Sequence, residues 1–365
     1  MINQVDQKFM SEALKLAKKG LSFTNPHPMV GAVIVKDGKI IGQGYHKKFG
    51  EDHAEMTAVK NAIANTKGAT MYVTLEPCHL PYDLKGARIP CTEIIQKAGI
   101  INVHVSQLDP NPEVSGLGLK QLQSLGIKTK LGILGGEALE LNETYHTFMS
   151  RGRPFVAIQF GASLDGKIAT YKGDSKWINN EGAREFGRRL RGKYQAILVG
   201  INTVLADDPH LGTRIKNLKD PLRIIIDPKL KIPSDAQVLR DGNVLIVTSN
   251  QAAKEKRELL NQKGIRVLIF KEEKIPIKDL LAKLKELKII SILVEGGGTT
   301  LGNFVDEKLV DKVYAFFGPI IIGGENAVSA IRGSGAGTLK QALHLKNIQI
   351  KRFEDNILIS GIIQP

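Results

Sequence analysis

The sequence predicts an α/β protein of two domains. The chain has 365 residues, which is more than one ordinary hydrophobic core accommodates. Apolar, strand-like segments alternate with helical segments along most of its length, a pattern typical of layered α/β domains. This alternation stops at the polar stretch 150–154 and then starts again, so we place the two domains at 1–148 and 151–365.

The elements of the first half follow from hydrophobic periodicity and turn residues. Apolar residues recur at helical spacing from Met10 to Ala17 and predict a helix over 8–19. The pair Asp37-Gly38 is a strong hairpin signal and predicts two strands within 31–46. The other predicted elements are strands at 69–77 and 101–109 and helices at 54–65, 91–98, 118–126 and within 131–150.

The second half repeats the alternation with more strands. Short apolar runs rich in Val, Ile and Leu are typical of buried strands in a parallel sheet. These predicted strands lie at 155–164, 195–201, 222–228, 243–250, 266–270, 289–298 and 312–324. Helical segments at 182–191 and 277–287 separate some of them.

Composition restricts the class of protein. Hydrophobic residues make up 42% of the chain and charged residues 24%, which is typical of globular proteins. The first residues do not resemble a signal peptide, and no apolar run is long enough to span a membrane, so we expect a cytoplasmic protein without membrane contact. The two cysteines do not indicate a disulfide scaffold; metal binding or simple burial are the better interpretations.

The net charge of +14 favours an anionic partner, either nucleic acid or a phosphorylated small molecule. The Lys and Arg residues are scattered along the chain rather than gathered in one basic arm. Aromatic residues make up only 5% of the chain, which is few for a surface that stacks bases. We therefore expect a phosphorylated small-molecule substrate and no nucleic acid.

Four residues of the first half predict a zinc site. His53 and Glu55 form an H-x-E motif at the start of a predicted helix, and Cys78 and Cys91 each follow a proline at an element junction. Imidazole and thiolate are preferred zinc ligands, and three protein ligands leave a fourth position for water. In zinc deaminases the Glu of H-x-E moves protons between that water and the substrate. We predict His53, Cys78 and Cys91 as ligands and Glu55 as the catalytic proton shuttle; buried structural residues are the alternative.

The first half resembles the bifunctional riboflavin-biosynthesis deaminase/reductase family. The resemblance is carried by GAVIVKDGKIIGQGYH, the HAE triplet, YVTLEPC and DPNPEVSGLGLKQLQSLGI. It implies a cytidine-deaminase-like, three-layer α/β domain. It also implies deamination of a diaminopyrimidinone that carries a ribosylamino phosphate, with His27 and His79 at the substrate.

Two departures from the family pattern lie near the expected base pocket. His27 stands where the family usually has Asn, although its ring still offers one donor and one acceptor. The segment 79–90 between the cysteines is about four residues longer than usual. We expect this insert to fold over the pocket or against a neighbouring subunit. We also expect Cys91 to stay at a helix N-terminus, with its sulfur within about 5 Å of the Cys78 sulfur.

The second half contains a glycine-rich loop but no dinucleotide fingerprint of the G-x-G-x-x-G type. Val294-Glu295-Gly296-Gly297-Gly298-Thr299-Thr300 follows an apolar strand and leads into a helix at 301–305. Backbone N–H groups at such a loop and helix N-terminus bind phosphate. A plain tight turn is the alternative interpretation of the same residues.

The second half also resembles this family, through GASLDGKIA, GDSKWI, LRGKYQAILVGINTVLADDPHL, LVEGGGTTLGNF and GPIIIGG. The resemblance implies a dihydrofolate-reductase-like domain that uses NADPH. The residues implied at the cofactor are Gly161, Trp177, Thr203, Asp207, Gly296, Gly297, Gly298 and Thr299. Those implied at the substrate are Ser175, Arg191, Leu211, Arg214 and Glu295.

Arginine pairs suit a phosphate because each guanidinium donates paired, charge-assisted hydrogen bonds, so we expect Arg191 and Arg214 to hold the substrate phosphate. Surface salt bridges are the alternative role. Departures from the family again lie near the site: Gln159 replaces a frequent Lys, Arg188 a frequent His, and Gly212 a frequent Thr. Asp165 is a candidate proton donor, and a turn-capping role is equally consistent with its position.

Together these features predict a deaminase and an NADPH-dependent reductase that act in succession on a riboflavin precursor. The resemblance also implies a homo-oligomer, a dimer or tetramer. Three alternatives stay open. These are a paralogue with the same chemistries on another pyrimidine, a nucleic-acid-binding protein or deaminase, and a chain in which one half serves only as a scaffold.

Overall fold

The computed structural model describes residues 3–80 and 89–364, and these residues form two compact units. The division lies between Gly152 and Arg153, next to the polar stretch that breaks the sequence pattern. The helix before it continues to Arg151, and Gly152 adopts the left-handed conformation that ends it, with φ of 64°. The α/β class expected from the sequence is confirmed in both units.

The N-terminal unit contains six α-helices and five strands among its described residues. The helices are α1 (Gln4–Ala17), α2 (Ala54–Lys60), α3 (Cys91–Lys97), α4 (Leu117–Ser124), α5 (Gly135–Leu141) and α6 (Glu143–Arg151). The strands are β1 (Gly31–Lys36), β2 (Lys39–Tyr45), β3 (Thr70–Val73), β4 (Asn102–Val105) and β5 (Lys128–Leu131). A 3₁₀ turn, Lys18–Gly20, follows α1.

These strands form one sheet in the order β2-β1-β3-β4-β5. β1 is antiparallel to both of its neighbours, and β3, β4 and β5 are parallel. Alternate residues of β1 point to opposite faces: Ile34 packs with residues of α2, α3 and α4, whereas Val33 packs with Met10 and Ala13 of α1. The sheet is therefore covered on both faces, which is the expected three-layer arrangement.

The predicted hairpin is confirmed, but several first-half boundaries differ from the sequence prediction. α1 begins four residues earlier because the Asn3 side chain caps it, accepting a hydrogen bond of 2.7 Å from the Asp6 N–H. α2 ends at Lys60 rather than residue 65, because Asn61 and Ile63 turn back to bond to carbonyls of β2. Strand β5 was not predicted, since none of its four residues is buried.

The C-terminal unit contains five α-helices and eleven strands among its described residues. The helices are α7 (Glu181–Arg191), α8 (Ile201–Asp207), α9 (Lys254–Gln262), α10 (Ile277–Glu286) and α11 (Gly298–Asp306). The strands are β6 (Phe155–Ala162), β7 (Lys167–Ala169), β8 (Ala196–Gly200), β9 (Leu222–Ile226), β10 (Val244–Ser249), β11 (Arg266–Phe270), β12 (Ser291–Gly296), β13 (Lys312–Phe317), β14 (Val328–Ser329), β15 (Leu345–Phe353) and β16 (Asn356–Ile363). Two 3₁₀ turns lie at Gln237–Leu239 and Leu339–Gln341.

The main sheet of this unit has the order β11-β10-β9-β8-β12-β6-β13-β16-β15 among the described residues. Its strands are parallel from β11 to β13, and β16 and β15 are antiparallel to their neighbours. β14 and β7 form a separate two-stranded sheet. The β15–β16 hairpin was not predicted, because most of β15 is exposed and lacks a clear hydrophobic pattern.

Helices cover both faces of this sheet, which explains why its central strands are almost continuously apolar. On β12, Val294 packs with α10 and α11, whereas Leu293 packs with residues of α7. The strands β8, β12 and β6 are adjacent and parallel, so their carboxyl ends lie at one edge of the sheet. That edge is where ligands bind in open parallel sheets. Every helix of the described residues is too short or too polar to cross a lipid bilayer.

Candidate active sites

The sequence-predicted zinc ligands come together at the ends of two helices in the N-terminal unit. His53 is the residue before α2, Glu55 lies in its first turn, and Cys91 is the first residue of α3. Cys78 lies in the loop after β3. Both helices pack on the same face of the sheet, since Ala54, Ala58 and Ile95 share one hydrophobic cluster.

The distances suit one metal ion. The Nδ1 atom of His53 lies 3.6 Å from the Cys78 sulfur and 3.4 Å from the Cys91 sulfur. All three donor atoms lie within 4.8 Å of one another, which meets the limit of about 5 Å expected from the sequence. The Cys91 N–H also donates to the Cys78 sulfur at 3.4 Å, an interaction that favours the thiolate. Two thiol sulfurs and an imidazole nitrogen form a donor set that fits Zn²⁺.

Glu55 is buried beside these donors, with a relative accessibility of 3%. Burial raises the pKa of Glu55 to about 7, although hydrogen bonds to its own backbone and to Cys91 act in the opposite direction. Burial, the neighbouring Cys78 and the charge of Glu55 raise the pKa of Cys91 well above its usual value. A bound cation would reverse that effect, since it favours the thiolate. A carboxyl with a pKa near neutral is suited to accept and return a proton.

A cavity of about 150 Å³ lies against Glu55 and the metal-ligand group. It is lined by His27, Pro28, Val30, His46, His53, Glu55, Leu75, Glu76, Cys78, Asp109 and Tyr145. The predicted substrate residue His27 therefore faces the candidate metal centre. His79, the other predicted substrate residue, is half-buried and does not belong to this described lining, so its role stays a prediction. The predicted insert falls largely on 81–88, outside the described residues.

His27 is part of a histidine pair. Its Nδ1 lies 3.3 Å from Nε2 of His46, and Nδ1 of His46 lies 3.0 Å from the carbonyl oxygen of Asp52. Because a carbonyl only accepts, Nδ1 of His46 carries the proton, and Nε2 of neutral His46 accepts from Nδ1–H of His27. The side chain of Asn142 holds the adjacent loop, accepting from the Met29 N–H at 2.8 Å and donating to the Met29 carbonyl at 2.9 Å.

Sequence reasoning did not select Glu76, Asp109 and Tyr145, which also line the cavity. The Glu76 carboxylate accepts hydrogen bonds from the backbone N–H groups of Asp109, Gly116 and Leu119, at 2.9 to 3.1 Å. It thereby holds the loop after β4 in place. Burial raises the pKa of Asp109, and the Tyr145 hydroxyl donates to its carboxylate at 3.3 Å. Glu76 and Asp109 are the acidic residues of the segments YVTLEPC and LDPNP, but no local pattern in the sequence indicates that these two segments come together at the cavity.

The C-terminal unit has a cavity of about 780 Å³ at the edge where β6, β8 and β12 end. Its lining includes all five predicted substrate residues, Ser175, Arg191, Leu211, Arg214 and Glu295. It also includes five of the predicted cofactor residues, Gly161, Trp177, Thr203, Asp207 and Gly297. The structure thus brings together residues that lie more than 130 positions apart in the sequence.

The glycine-rich loop connects β12 to α11, as its sequence context suggested. Gly297 has φ of 68°, a conformation that favours glycine, and it faces the cavity. Gly298 begins α11, and a Cβ there would lie 2.4 Å from the carbonyl oxygen of Ser329. Gly298 therefore has a packing reason to be glycine. Gly296, Gly298 and Thr299 do not belong to the described lining, and their cofactor contacts stay predictions.

The structure shows which groups Arg191 contacts within the protein, and its predicted contact with the substrate phosphate stays a prediction. Its Nε and Nη2 donate to the two carboxylate oxygens of Glu295 at 2.9 and 2.7 Å, and its Nη1 donates to the Gly212 carbonyl at 2.9 Å. Each of its three nitrogens therefore already has a protein partner, so Arg191 orients Glu295 and the loop at Gly212. Both side chains are mostly buried, with 14% and 8% of their surface exposed. This geometry supports a positioning role for Arg191, and its two remaining N–H groups are compatible with the predicted phosphate contact.

Asp165 serves as a turn cap. Its carboxylate accepts hydrogen bonds from the N–H groups of Ile322 and Gly323 at 3.0 and 2.8 Å. Hydrogen bonds from the backbone of Ile322, the Ser163 side chain and the backbone of Gly323 lower the pKa of Asp165 to about 2. A carboxyl that stays ionised at neutral pH is a poor proton donor, so the capping interpretation of the SLDG turn is favoured.

Both units match known families. A family profile described as "RibD C-terminal domain" matches residues 154–359, and one described as "Cytidine and deoxycytidylate deaminase zinc-binding region" matches residues 3–107. The chain is 41% identical over 361 residues to the riboflavin biosynthesis protein RibD of Aquifex aeolicus, covering 98% of this chain and 99% of that protein. It is 38% identical over 336 residues to the Escherichia coli RibD, covering 88% of this chain and 89% of that protein.

Solved structures give the same result over both units. The structure of Acinetobacter baumannii RibD superimposes with a TM-score of 0.90 and 34% identity, covering 99% of both chains. A diaminohydroxyphosphoribosylaminopyrimidine deaminase/5-amino-6-(5-phosphoribosylamino)uracil reductase from Thermotoga maritima superimposes with a TM-score of 0.86 and 34% identity, again over 99% of both chains. The expected deaminase and reductase folds are therefore confirmed. The chain belongs to the RibD family of bifunctional deaminase/reductase enzymes of riboflavin biosynthesis.

Proposed function

We propose that the N-terminal unit is a zinc-dependent deaminase of 2,5-diamino-6-ribosylamino-4(3H)-pyrimidinone 5′-phosphate. The convergence of His53, Cys78 and Cys91 beside the buried Glu55 carries this proposal. Zinc bound there lowers the pKa of a coordinated water, so that hydroxide is available near neutral pH. The net reaction consumes one water, replaces the ring amine by a carbonyl oxygen and releases ammonia.

Glu55 is the residue that moves protons in this scheme. It would take the two protons of the water in turn, passing the first to the ring nitrogen and the second to the departing amine, which leaves as ammonia. His27, Asp109 and Tyr145 line the space that the pyrimidine ring would occupy. Glu55 is buried and lies two residues after the predicted ligand His53, so its carboxyl lies beside the position where the water would be bound.

We expect the purified full chain, produced with zinc supplied, to contain about one zinc per chain, because one three-ligand site is assembled. Elemental analysis measures this directly. His53→Ala should lower the zinc content several-fold, since one of three ligands is removed. His210→Ala, a histidine of the C-terminal unit, is the matched control and should retain zinc. Zinc-free wild-type protein after metal-replete expression would contradict the proposal.

We propose that the C-terminal unit then reduces the ribosyl group of the deaminated product to a ribityl group with NADPH. This proposal rests on the cavity of about 780 Å³, which is lined by predicted cofactor residues and by predicted substrate residues together. NADPH, when bound, supplies the hydride to C1 of the opened sugar. Two features support binding of a dinucleotide: the size of the cavity and the position of Gly297 immediately before α11. The exposed Trp177 is a third, and the Arg184 guanidinium lies over its ring, 4.2 Å from the ring centroid.

We expect the full chain to bind NADPH about tenfold or more tightly than NADH. The 2′-phosphate adds roughly −1.5 to −2 charges to a ligand that meets a strongly basic protein, and charged hydrogen bonds are each worth ~1.5–3 kcal/mol. Titration of the intrinsic or nicotinamide fluorescence with each reduced cofactor gives the ratio of affinities. Equal dissociation constants would contradict the cofactor assignment, even if the reductase reaction proceeds.

The histidine pair supports a second candidate, a related phosphorylated pyrimidine as substrate of the deaminase. His27 faces the cavity and is bonded to His46, whereas an Asn would present both an amide donor and an acceptor. Turnover of the riboflavin precursor by purified protein distinguishes the two candidates. A homo-oligomer, a cytoplasmic location and the absence of nucleic-acid binding stay predictions.

A further inference from the structure

Asn142 lies at the junction between α5 and α6, and its side chain is used in an unexpected way. It is the residue immediately before α6, where an Asn side chain ordinarily accepts hydrogen bonds from the first N–H groups of the helix. Here the side chain points away from α6 and bonds to the backbone of Met29 instead. A local preference that is given up in this way indicates a requirement of the tertiary structure.

The contact uses both polar backbone groups of Met29. Oδ1 of Asn142 accepts from the Met29 N–H at 2.8 Å, and Nδ2 donates to the Met29 carbonyl oxygen at 2.9 Å. Asn142 is only 2% exposed, so these hydrogen bonds are shielded from water. Loss of the side chain would leave two buried backbone groups without these partners, which is costly. The contact therefore fixes both the position and the orientation of the Met29 backbone.

Met29 belongs to the loop 25–30, which forms one wall of the deaminase cavity. His27, Pro28 and Val30 of this loop line the cavity. Two residues of the loop are prolines, which carry no backbone N–H, so the loop has fewer donors with which to hold its own shape. The hydrogen bonds to Asn142 therefore hold the cavity-lining residues on either side of Met29.

The first turn of α6 also contacts the loop that follows β4. Tyr145 lines the cavity, and its hydroxyl donates to the Asp109 carboxylate at 3.3 Å. One residue later, Nε2 of His146 lies 3.0 Å from Oε1 of Gln107. Residues at the start of α6 thus reach two loops of the same cavity. Asn142 is the one that holds the loop of His27.

We propose that Asn142 is a positioning residue of the deaminase, which holds His27 where it meets the pyrimidine ring. Asn142 lies outside the described lining of the cavity, so it acts through the loop rather than by touching the substrate. Without it, only a fraction of the molecules presents the formed cavity, and the apparent affinity for substrate falls by that fraction. The assignment rests on the proposed deaminase function.

Asn142→Ala should raise KM for the pyrimidine substrate roughly 10-fold and leave kcat within about threefold of wild type. A loop that must be ordered on binding weakens the apparent affinity, whereas the enzyme with substrate bound reacts as before. Zinc content should be unchanged, because the predicted ligands lie at α2, at α3 and in the loop after β3. Asn142→Asp, which keeps the acceptor but loses the donor, should raise KM by a smaller factor. A fall in kcat at unchanged KM would overturn the proposal.

Tyr72→Phe is the matched control, because it also removes a buried hydrogen bond from the N-terminal unit. The Tyr72 hydroxyl donates to Asp6 at 2.9 Å on the face of the sheet that α1 covers. The helices of the metal site, α2 and α3, pack on the other face. Tyr72→Phe should therefore keep KM within about twofold of wild type. An equal rise in KM in Tyr72→Phe and Asn142→Ala would show a general loss of packing and contradict the positioning role.

A double variant tests whether Asn142 acts through His27. In a chain that already carries His27→Ala, the further change Asn142→Ala should alter KM by less than about twofold. Residues that act through one another have non-additive effects, whereas the effects of independent residues multiply. A full 10-fold rise in the His27→Ala background would show that His27 is not the residue that Asn142 positions.

Hydrogen exchange gives a readout that does not depend on deamination. The Met29 amide is protected by its hydrogen bond to Asn142, so its exchange in the full chain should become about tenfold faster or more in Asn142→Ala and stay unchanged in Tyr72→Phe. Mass spectrometry of the peptide that contains residues 24–31 measures this. If wild type does not deaminate the riboflavin precursor but the difference in exchange is present, the proposed function fails and Asn142 still positions the loop. Equal exchange in all three proteins would overturn the inference, whatever the activity.

Discussion

Glu55→Gln is expected to lower the deamination rate by roughly 10²- to 10⁴-fold, the usual contribution of a general acid–base group. Glutamine keeps the size of the side chain but neither accepts nor returns a proton. Because Glu55 is not among the three grouped metal-binding donors, the variant should retain its zinc. The measurements are ammonia release from the pyrimidine substrate and zinc content of the same preparation.

Glu93→Gln is the matched control for this experiment. Glu93 also lies in the first turn of a helix that carries a predicted ligand, but its side chain is 43% exposed and paired with Lys97. It should deaminate at a rate close to that of wild type. Reductase activity should be unchanged in both variants, which shows that the chain has folded. If the Glu55→Gln variant deaminates the substrate at the normal rate, Glu55 is not the proton shuttle. If the variant loses its zinc, Glu55 supports the metal site instead.

Glu295→Gln is expected to destabilise the C-terminal unit by about 3–5 kcal/mol and to abolish most of the reductase activity. The substitution leaves the mostly buried Arg191 without its counter-ion, and an uncompensated buried charge carries a cost of that order. Urea unfolding, followed by a probe in the C-terminal unit, measures the change in free energy. Glu185→Gln is the matched control, because it breaks an exposed ion pair with Arg189 on α7, the helix that also carries Arg191. It should lower the free energy of unfolding by less than about 1 kcal/mol.

A double variant separates stability from function at this pair. Arg191→Met with Glu295→Leu removes both charges and replaces them by apolar groups of similar volume, a change that is often neutral or stabilising. We therefore expect the double variant to recover most of the lost stability, but not the reductase activity. A Glu295→Gln variant within about 1 kcal/mol of wild type would show that Arg191 finds another partner and that the pair does not organise the site.

Local sequence patterns were sufficient for the α/β class, for most of the buried strands and for predicting the metal-ligand set. The H-x-E motif and the two Pro-Cys pairs indicate a zinc site directly, because few types of side chain bind zinc. The sequence also places His53 and Cys91 at the starts of predicted helices. The apolar runs of the second half could be interpreted as buried parallel strands, since both faces of such strands are covered. The Gly297 loop could be located because a glycine run between a strand and a helix is a local signal.

Tertiary structure alone decided which side chains meet. Arg191 and Glu295 are 104 residues apart in the sequence, and they form an ion pair because α7 packs against the sheet that contains β12. Asn142 and Met29 are 113 residues apart, and their contact sets the position of the loop that carries His27. No periodicity or motif encodes such pairs, since they depend on strand order and on how helices pack over the sheet. The sequence by itself therefore determined the α/β class and predicted the zinc donors, whereas the hydrogen-bond partners of Arg191 and Asp165 followed only from their neighbours in space.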